Sequence, residues 1–204
     1  MSGERLLFPA GVVGSMPRSQ FVRDLRNPEK APSDPEAFEK RMDAAVDYIV
    51  ALQEAAGLDI VSDGEYRRRS YIGIISDVAD GFVRERKDGL WWHTVEEPMR
   101  VVRPGLAAAE ARYLKGRTDR QVKVCLPSPY LLGRRMWDPK RSREAYATRE
   151  AFMEALIPIL RGELALLKEA RIYRPDLAAR FVLNRCGART VIARETAETL
   201  VAER

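Results

Sequence analysis

Apolar and polar positions change their spacing along the first third of the chain, and the changes predict strand, helix and strand. Residues 6–13 are mostly apolar and lead into Gly14, which is typical of a buried strand running into a loop. Ser33 and Glu36 have the spacing of a capping box, and apolar residues then recur at helical spacing as far as Gly57. Residues 58–62 form a second short strand, so polar residues follow both strands.

The middle of the chain carries the signal of a β-hairpin. Residues 81–86 and 90–92 alternate on either side of an Asp-Gly turn, so we expect an excursion from the main sheet. A short helix at 106–114, a third strand at 121–125 and a long helix at about 149–170 are then predicted, with Pro158 expected to kink or split the last. Strand–helix units in series favour an α/β fold with a parallel sheet or barrel.

Composition limits the classes of protein to consider. The 204 residues are 46% hydrophobic and 32% charged, as expected for one ordinary globular domain. No apolar run reaches the roughly 20 residues of a membrane span, and residues 1–7 lack the features of a signal peptide. We therefore expect a cytoplasmic protein without a membrane partner. The net charge of +5 forms no dense basic patch, so nucleic acid is not an expected partner.

Histidine and cysteine are scarce, which restricts the chemistry that the chain can supply. His93 is the one histidine, and Cys125 and Cys186 are the two cysteines. In a cytoplasmic protein we expect both thiols to be free. A catalytic triad or a histidine-rich metal site would have to be built around one ring.

Polar motifs follow each of the three predicted strands. They are GSMPR at residues 14–18, DGEYRR at residues 63–68 and LPSPY at residues 126–130. Taken singly, each is most often an ordinary turn or a rigid loop. In an α/β barrel, however, the carboxyl ends of the strands meet on the face that carries the active site. The three motifs are therefore expected to lie together.

In combination, the motifs resemble the catalytic domain family of cobalamin-independent methionine synthase. The matching text is VVGSMPR at 12–18, LQEAAGLDIVSDGEYRR at 52–68 and VKVCLPSPYLL at 122–132, and a further similar stretch is GELALL at 162–167. The resemblance covers about residues 6–170. It implies a partial TIM-type (β/α)8 barrel with an inserted β-hairpin, made of roughly the first three to four strand–helix units.

The resemblance also implies an activity and a set of site residues. The activity is that of a 5-methyltetrahydropteroyltriglutamate–homocysteine S-methyltransferase, which takes methyltetrahydrofolate as donor and homocysteine as acceptor in methionine biosynthesis. Gly14 and Ser15 would bind the carboxylate of the amino acid, and Glu65 its ammonium group. The candidate supporting residues are Arg18, Asp63, Arg68 and Ser128. For Arg68 we expect a structural ion pair first and a ligand contact second.

The family implies a zinc ion that holds the substrate thiol, but its ligands are not found in this chain. The family's His-x-Cys pair, glutamate and second cysteine have no counterpart here. We expect His93 to be a surface or hairpin residue and Cys125 to be a small buried core residue. No metal ligand is assigned, and little or no methyl transfer is expected from this chain as it stands.

Residues 1–170 are expected to form the first half of such a barrel, and residues 171–204 a divergent helical tail. From Arg171 onward the chain has seven arginines and four acidic residues but no lysine, and the family's acidic motif is absent. A genuine tail that covers the sheet is one explanation. A frameshift near residue 170 in a truncated relative is the other, and the abrupt change of composition favours it.

Two alternatives to the methionine synthase assignment stay open. One is a related zinc-dependent alkyltransferase that acts on another thiol, of the coenzyme M type. The other is a non-catalytic half-barrel that binds a partner or self-associates through its open sheet edges. The charge of Glu65 distinguishes the first alternative, because a carboxylate at that position implies a substrate that carries an ammonium group.

Overall fold

The computed structural model describes residues 8–87 and 90–169 of the chain. Within these ranges the elements are, in order, α1 (Gln20–Leu25), α2 (Pro35–Ala55), β1 (Ile60–Val61), α3 (Gly73–Val78), β2 (Ala79–Lys87), β3 (Leu90–Val101), α4 (Leu106–Lys115), β4 (Gln121–Val122), α5 (Pro129–Met136) and α6 (Arg149–Glu169). The architecture is mixed α/β. None of the helices in the described ranges is long and apolar enough to cross a membrane.

A short parallel sheet positions the three polar motifs. Strand β1 pairs with β4, Ile60 opposite Gln121, and Gly11 forms an isolated parallel bridge to Ile60 on the other side. Three segments of the chain therefore run in the same direction with β1 between the other two. The parallel arrangement expected from the strand–helix order is confirmed for this core, although β4 is shorter than the predicted strand at 121–125.

The prediction of a buried strand at 6–13 is wrong over the residues that the structure describes. Only Gly11 bridges to the sheet, and the side chains of Phe8 and Val13 are 92% and 72% exposed. The segment lies at the edge of the sheet. At Gly11 the backbone approaches so closely that a Cβ would lie 3.1 Å from the carbonyl oxygen of Ile60.

Helix α2 lies against the parallel sheet, but its cap differs from the prediction. Asp34, not Ser33, is the N-cap, and its carboxylate accepts the amide of Ala37 at 3.0 Å. Pro35 at the first helical position suits this start, because proline has no amide that needs a partner there. Gly57, with a φ of +75°, follows the helix end as predicted. The buried face of α2 packs with Val61, Tyr66 and Leu114 in one core cluster.

The predicted hairpin is confirmed, and it is longer than the alternating residues alone indicated. Strands β2 and β3 pair antiparallel from Lys87 opposite Leu90 to Ala79 opposite Val101. A β-bulge interrupts the register between Asp80 and Phe82, where Gly81 adopts a φ of +104°. The Asp-Gly turn itself lies outside the described residues.

A second core cluster lies between the hairpin and helices α4, α5 and α6. Helix α6 passes through Pro158 without a break, so the predicted split of this helix is wrong. Pro158 is exposed, whereas Leu156, Ile159 and Leu160 on either side of it are buried in the cluster. Packing on both sides of the proline therefore offsets the one backbone hydrogen bond that it removes. The predicted tail at 171–204 and Cys186 lie outside the described residues.

Candidate functional site

The first two polar motifs meet at the carboxyl end of the parallel sheet. The hydroxyl of Ser15 donates a hydrogen bond to Oε2 of Glu65, which is only 4% exposed. Gly14 lies beside the same carboxylate, and a Cβ at Gly14 would sit 3.8 Å from Oε1 of Glu65. The structure thus brings together the three residues that the resemblance nominates for amino-acid binding.

The Asp-Gly-Glu sequence explains how Glu65 reaches this position. Glu65 has a φ of +58° and Gly64 one of +63°, so two consecutive residues are left-handed. Oδ1 of Asp63 accepts the amide of Glu65 at 2.9 Å, which holds the turn. The amide of Met16 donates to the carbonyl of Gly64 at 3.1 Å and joins the first motif to the second.

A buried ion pair fixes the rest of the second motif. The guanidinium of Arg68 binds the carboxylate of Glu110 on α4, with Nε to Oε1 at 2.9 Å and Nη2 to Oε2 at 2.5 Å. Nη1 of Arg68 donates to the carbonyl of Cys125 at 2.6 Å. Burial alone would lower the pKa of Arg68, but the hydrogen bonds and charge of Glu110 outweigh it and the net pKa is raised. Arg68 therefore has the structural ion pair expected from the sequence.

Arg18 connects the first motif to the second through backbone carbonyl groups. Its Nη2 donates to the carbonyl of Arg68 at 2.7 Å and to that of Glu65 at 3.4 Å. In the opposite direction, the hydroxyl of Tyr66 in the second motif donates a hydrogen bond to the carbonyl of Pro17 in the first, at 2.8 Å. These contacts connect the backbone of the first motif to that of the second.

Cys125, directly before the third motif, lies near the first motif, and the prediction of a buried core cysteine is wrong. Cys125 is half-buried, and its thiol lies 3.7 Å from the carbonyl oxygen of Val13. Nζ of Lys123 binds the carbonyls of Val12 and Val13. Since β4 ends at Val122, the thiol is not carried into the core by a strand and lies at the sheet end instead.

Ser128, the candidate residue of the third motif, serves as a helix cap. Its hydroxyl accepts the amide of Leu131 at 3.2 Å and begins α5. A capping hydroxyl followed by proline is a common start of a helix, so the position of Ser128 is explained by the start of α5.

His93 lies on the hairpin, as one form of the prediction had it, but it is not a surface residue. The ring is 2% exposed, and its Nδ1 lies 2.6 Å from the hydroxyl of Ser76. Burial lowers the pKa of His93, and the positive charge of Arg84 acts in the same direction. The lowered pKa favours the neutral form of the ring.

The residues present do not fit the zinc ion that the resemblance implies. Within residues 8–87 and 90–169, no three side chains of histidine, cysteine, aspartate or glutamate are grouped so that they could hold a metal ion. A zinc site requires three or four such ligands.

Several residues of the site were not singled out from the sequence. Lys123 was not considered, and Cys125 was interpreted only as a core residue. Both side chains contact the carbonyl of Val13, and residues two apart on an extended segment point to the same side. Glu110 gave no local signal, because its partner Arg68 is 42 residues away.

The family model of the cobalamin-independent synthase catalytic domain matches residues 8–136 of this chain. The match includes all three motifs and more than half of the residues. The chain belongs to this family. The resemblance stated from the motifs alone is thereby confirmed.

Curated relatives of this synthase-family chain are 5-methyltetrahydropteroyltriglutamate–homocysteine methyltransferases. The protein from Xylella fastidiosa is 30% identical over 136 residues, and that from Herpetosiphon aurantiacus is 27% identical over 134 residues. Each alignment covers 60% of this chain but only 17% of the relative. The chain thus matches about a sixth of the length of these enzymes.

Solved structures of the family have the same fold over a longer part of the synthase-family chain. A B12-independent methionine synthase from Shewanella sp. W3-18-1, in complex with selenomethionine, matches with a TM-score of 0.67 at 23% identity, covering 81% of this chain and 49% of that one. A Listeria monocytogenes protein assigned as a vitamin B12-independent methionine synthase matches with a TM-score of 0.60 at 20% identity, covering 93% and 58%. At these identities the likeness concerns the fold alone.

The thiol of Cys125 should react slowly with alkylating reagents at neutral pH. Burial raises its pKa, opposed by the positive charge of Lys123 and reinforced by the carboxylate of Glu65. A raised pKa lowers the thiolate fraction, so alkylation by iodoacetamide at pH 7.5 should be slower than that of a free cysteine and should rise as the pH increases. Peptide-resolved mass spectrometry measures this site separately from Cys186.

Two variants test the opposite effects of Glu65 and Lys123 on the pKa of the Cys125 thiol. Glu65→Gln removes a negative charge and should speed the alkylation of Cys125, whereas Lys123→Met removes a positive charge and should slow it. Alkylation at the rate of a free cysteine in the unsubstituted protein would contradict a raised pKa of the Cys125 thiol.

Proposed function

We propose that residues 8–136 bind the amino-acid end of a homocysteine or methionine substrate in a methionine-synthase-type methyltransferase. The observation that carries the proposal is the buried Glu65 carboxylate at the sheet end, next to the Ser15 hydroxyl. A buried carboxylate requires a donor of charge or hydrogen bonds, and a primary ammonium group supplies both.

The first motif can bind the substrate carboxylate, but through backbone amides and not through the Ser15 hydroxyl. The single hydroxyl proton of Ser15 is directed at Glu65, so in this arrangement it is not available to an incoming carboxylate. The amides of Gly14 and Ser15 donate to no described residue. In our proposal these backbone amides receive the carboxylate, while Ser15 orients Glu65.

The position of the site supports the proposal of a partial TIM-type barrel with an inserted hairpin. The three segments around β1 run parallel, and their polar motifs follow at the carboxyl ends, where barrel enzymes place their active sites. The likeness to about half of the Shewanella structure is consistent with the first strand–helix units of a barrel at 1–170. The selenomethionine in that structure is an amino acid of the class that we assign to this site.

Our proposal assigns no step of methyl transfer to residues 8–87 and 90–169. The donor would be a methyl-folate, as the names of the curated relatives indicate. The described residues bind, orient and neutralise the amino-acid end, and the thiol of the substrate would point away from Glu65.

Glu65→Gln should weaken the binding of L-methionine and L-homocysteine by about tenfold to a hundredfold. Replacing a charged acceptor by a neutral one removes about 1.5–3 kcal/mol of charge-assisted hydrogen bonding. Isothermal titration calorimetry with the full chain measures the change, and Glu144→Gln, an exposed site on the loop before α6, is the matched control.

The same titrations separate the alternative thiol substrates. Tight binding of a sulfonate thiol such as 2-mercaptoethanesulfonate, with no effect of Glu65→Gln, would favour the coenzyme M type of alkyltransferase. Absence of binding by every amino acid and thiol tested would overturn the proposal and favour a non-catalytic module.

A further inference from the structure

Asp63 has a buried carboxylate oxygen whose role the site described above leaves unexplained. Its side chain is 4% exposed, and Oδ1 accepts the amide of Glu65 at 2.9 Å. Oδ2 is buried and has no hydrogen-bond partner among the described residues. A buried carboxylate oxygen without a hydrogen-bond donor is destabilising, so such an atom in a folded protein requires a partner.

The neighbouring cations do not supply that partner. Arg68 is close enough for the charge of Asp63 to raise its pKa, but its hydrogen bonds go to Glu110 and to the carbonyl of Cys125. Arg18 is likewise occupied with backbone carbonyls. The guanidinium of Arg68 therefore interacts with the charge of Asp63 without filling the hydrogen-bonding position at Oδ2.

Asp63 and Glu65 lie on one turn after the end of β1. The carboxylates of both residues raise the pKa of the Cys125 thiol, so both lie within electrostatic reach of that one atom. The Asp63–Glu65 backbone hydrogen bond holds the two side chains on one turn. Lys123 and Arg68 also act electrostatically on this thiol, but their hydrogen bonds go to backbone carbonyls and to Glu110, so neither occupies Oδ2 of Asp63. The two carboxylates therefore keep an acceptor position for a further cationic N–H donor.

We infer that Asp63 is a second ammonium-binding residue, whose Oδ2 accepts a hydrogen bond from the substrate amino group that Glu65 also binds. This inference rests on the proposed function and deepens it. An ammonium group has three N–H donors, enough for both carboxylates at once. The site then requires an amino group and disfavours thiols that carry only an anionic group.

Asp63→Asn tests the inference because it preserves the oxygen that accepts the Glu65 amide and replaces only the second carboxylate oxygen. The asparagine Oδ1 can still accept the Glu65 amide, whereas its NH₂ group replaces the acceptor Oδ2 by a donor that opposes an ammonium group. We expect the affinity for L-methionine to fall by at least tenfold, with the midpoint of thermal unfolding unchanged or raised. Asp138→Asn is the matched control, because Asp138 also accepts backbone amides but in the loop after α5.

A ligand without the amino group separates recognition from a structural effect. For 4-(methylthio)butanoate, which lacks the ammonium, Asp63→Asn should leave the affinity unchanged or improve it. If Asp63→Asn binds L-methionine as well as the unsubstituted chain does, Oδ2 is only hydrated and the inference is overturned. Equal losses for both ligands would also overturn it, because they would indicate a distorted turn.

The outcome also distinguishes this inference from the proposed function. An effect of Glu65→Gln without an effect of Asp63→Asn would leave amino-acid binding in place and remove only the role of Asp63. Failure of the unsubstituted chain to bind any amino acid would refute both proposals.

Discussion

Replacing Arg68 by methionine should destabilise the protein by about 3–5 kcal/mol, since removing one partner of a buried ion pair leaves the other charge unpaired. The side chains of Arg68 and Glu110 are 3% and 8% exposed. Without Arg68, Glu110 must either remain charged in a buried position or take up a proton. Urea unfolding, followed by circular dichroism at pH 7, gives the change in the free energy of unfolding.

The loss should also depend on pH in a defined direction. Burial raises the pKa of Glu110 and Arg68 opposes that rise, so removing Arg68 raises the pKa further. A carboxyl group whose folded pKa is raised destabilises the fold as pH rises through the unfolded and folded values. The Arg68→Met variant should therefore recover part of its stability when the pH is lowered towards 5.

Two controls separate the buried pair from a general effect of losing an arginine. Arg100→Met removes a side chain that is 81% exposed and lies 3.6 Å from Asp80, so it should change the stability by no more than about 1 kcal/mol. The double variant Arg68→Met, Glu110→Leu should be more stable than Arg68→Met alone, because it leaves no unpaired charge. A loss below about 1 kcal/mol for Arg68→Met would contradict the buried pairing.

The parts of the fold that depend on local pattern could be predicted from the sequence. The hairpin followed from alternation around an Asp-Gly turn, and Gly57 marked the end of α2 because its left-handed backbone disfavours other residues. The cap of α2 was placed one residue early, since Ser33 and Asp34 are both good caps and only the position of Pro35 decides between them. The short helices α1 and α3, of six residues each, were missed because so few residues show no period.

Burial of polar residues could not be predicted, because it depends on partners far away in the chain. Glu163 is 1% exposed because its carboxylate accepts the amides of Gly105 and Ala107 at the start of α4. His93 is buried because α3 brings Ser76 against the hairpin. Neither partner is adjacent in sequence, so neither the helical position of Glu163 nor the strand position of His93 indicates its burial.

The candidate site likewise has features that the sequence predicted and features that it did not. The resemblance placed Ser15 and Glu65 correctly next to each other, although 50 residues separate them. It did not indicate that Ser15 would donate to Glu65, or that Oδ2 of Asp63 would be buried without a partner. These features follow from the left-handed turn at Gly64 and Glu65, whose geometry no sequence spacing describes.

Phe152→Ala is expected to have an effect as large as that of Arg68→Met, about 3–5 kcal/mol, because it opens a cavity in the larger core. Phe152 on α6 is fully buried, and its ring contacts those of Phe82 and Tyr146, with centroids 6.3 Å and 5.4 Å away. These contacts join the hairpin to α6, so the variant should weaken the docking of β2 and β3 as well as the global fold. Urea unfolding measures the first effect and amide hydrogen exchange the second.

Comparing amide exchange in the hairpin with that in α2 shows whether the cavity weakens the hairpin selectively. Exchange of the β2 and β3 amides should accelerate more than that of the α2 amides, because α2 packs in the other core cluster. Phe21→Ala, at a side chain that is 47% exposed, should cost well under half as much. Equal acceleration in α2 and the hairpin would mean that the two clusters unfold as one unit. The hairpin would then be part of the same cooperative structure as the sheet that carries Glu65, and substitutions in the hairpin core would reach the candidate site through global stability alone.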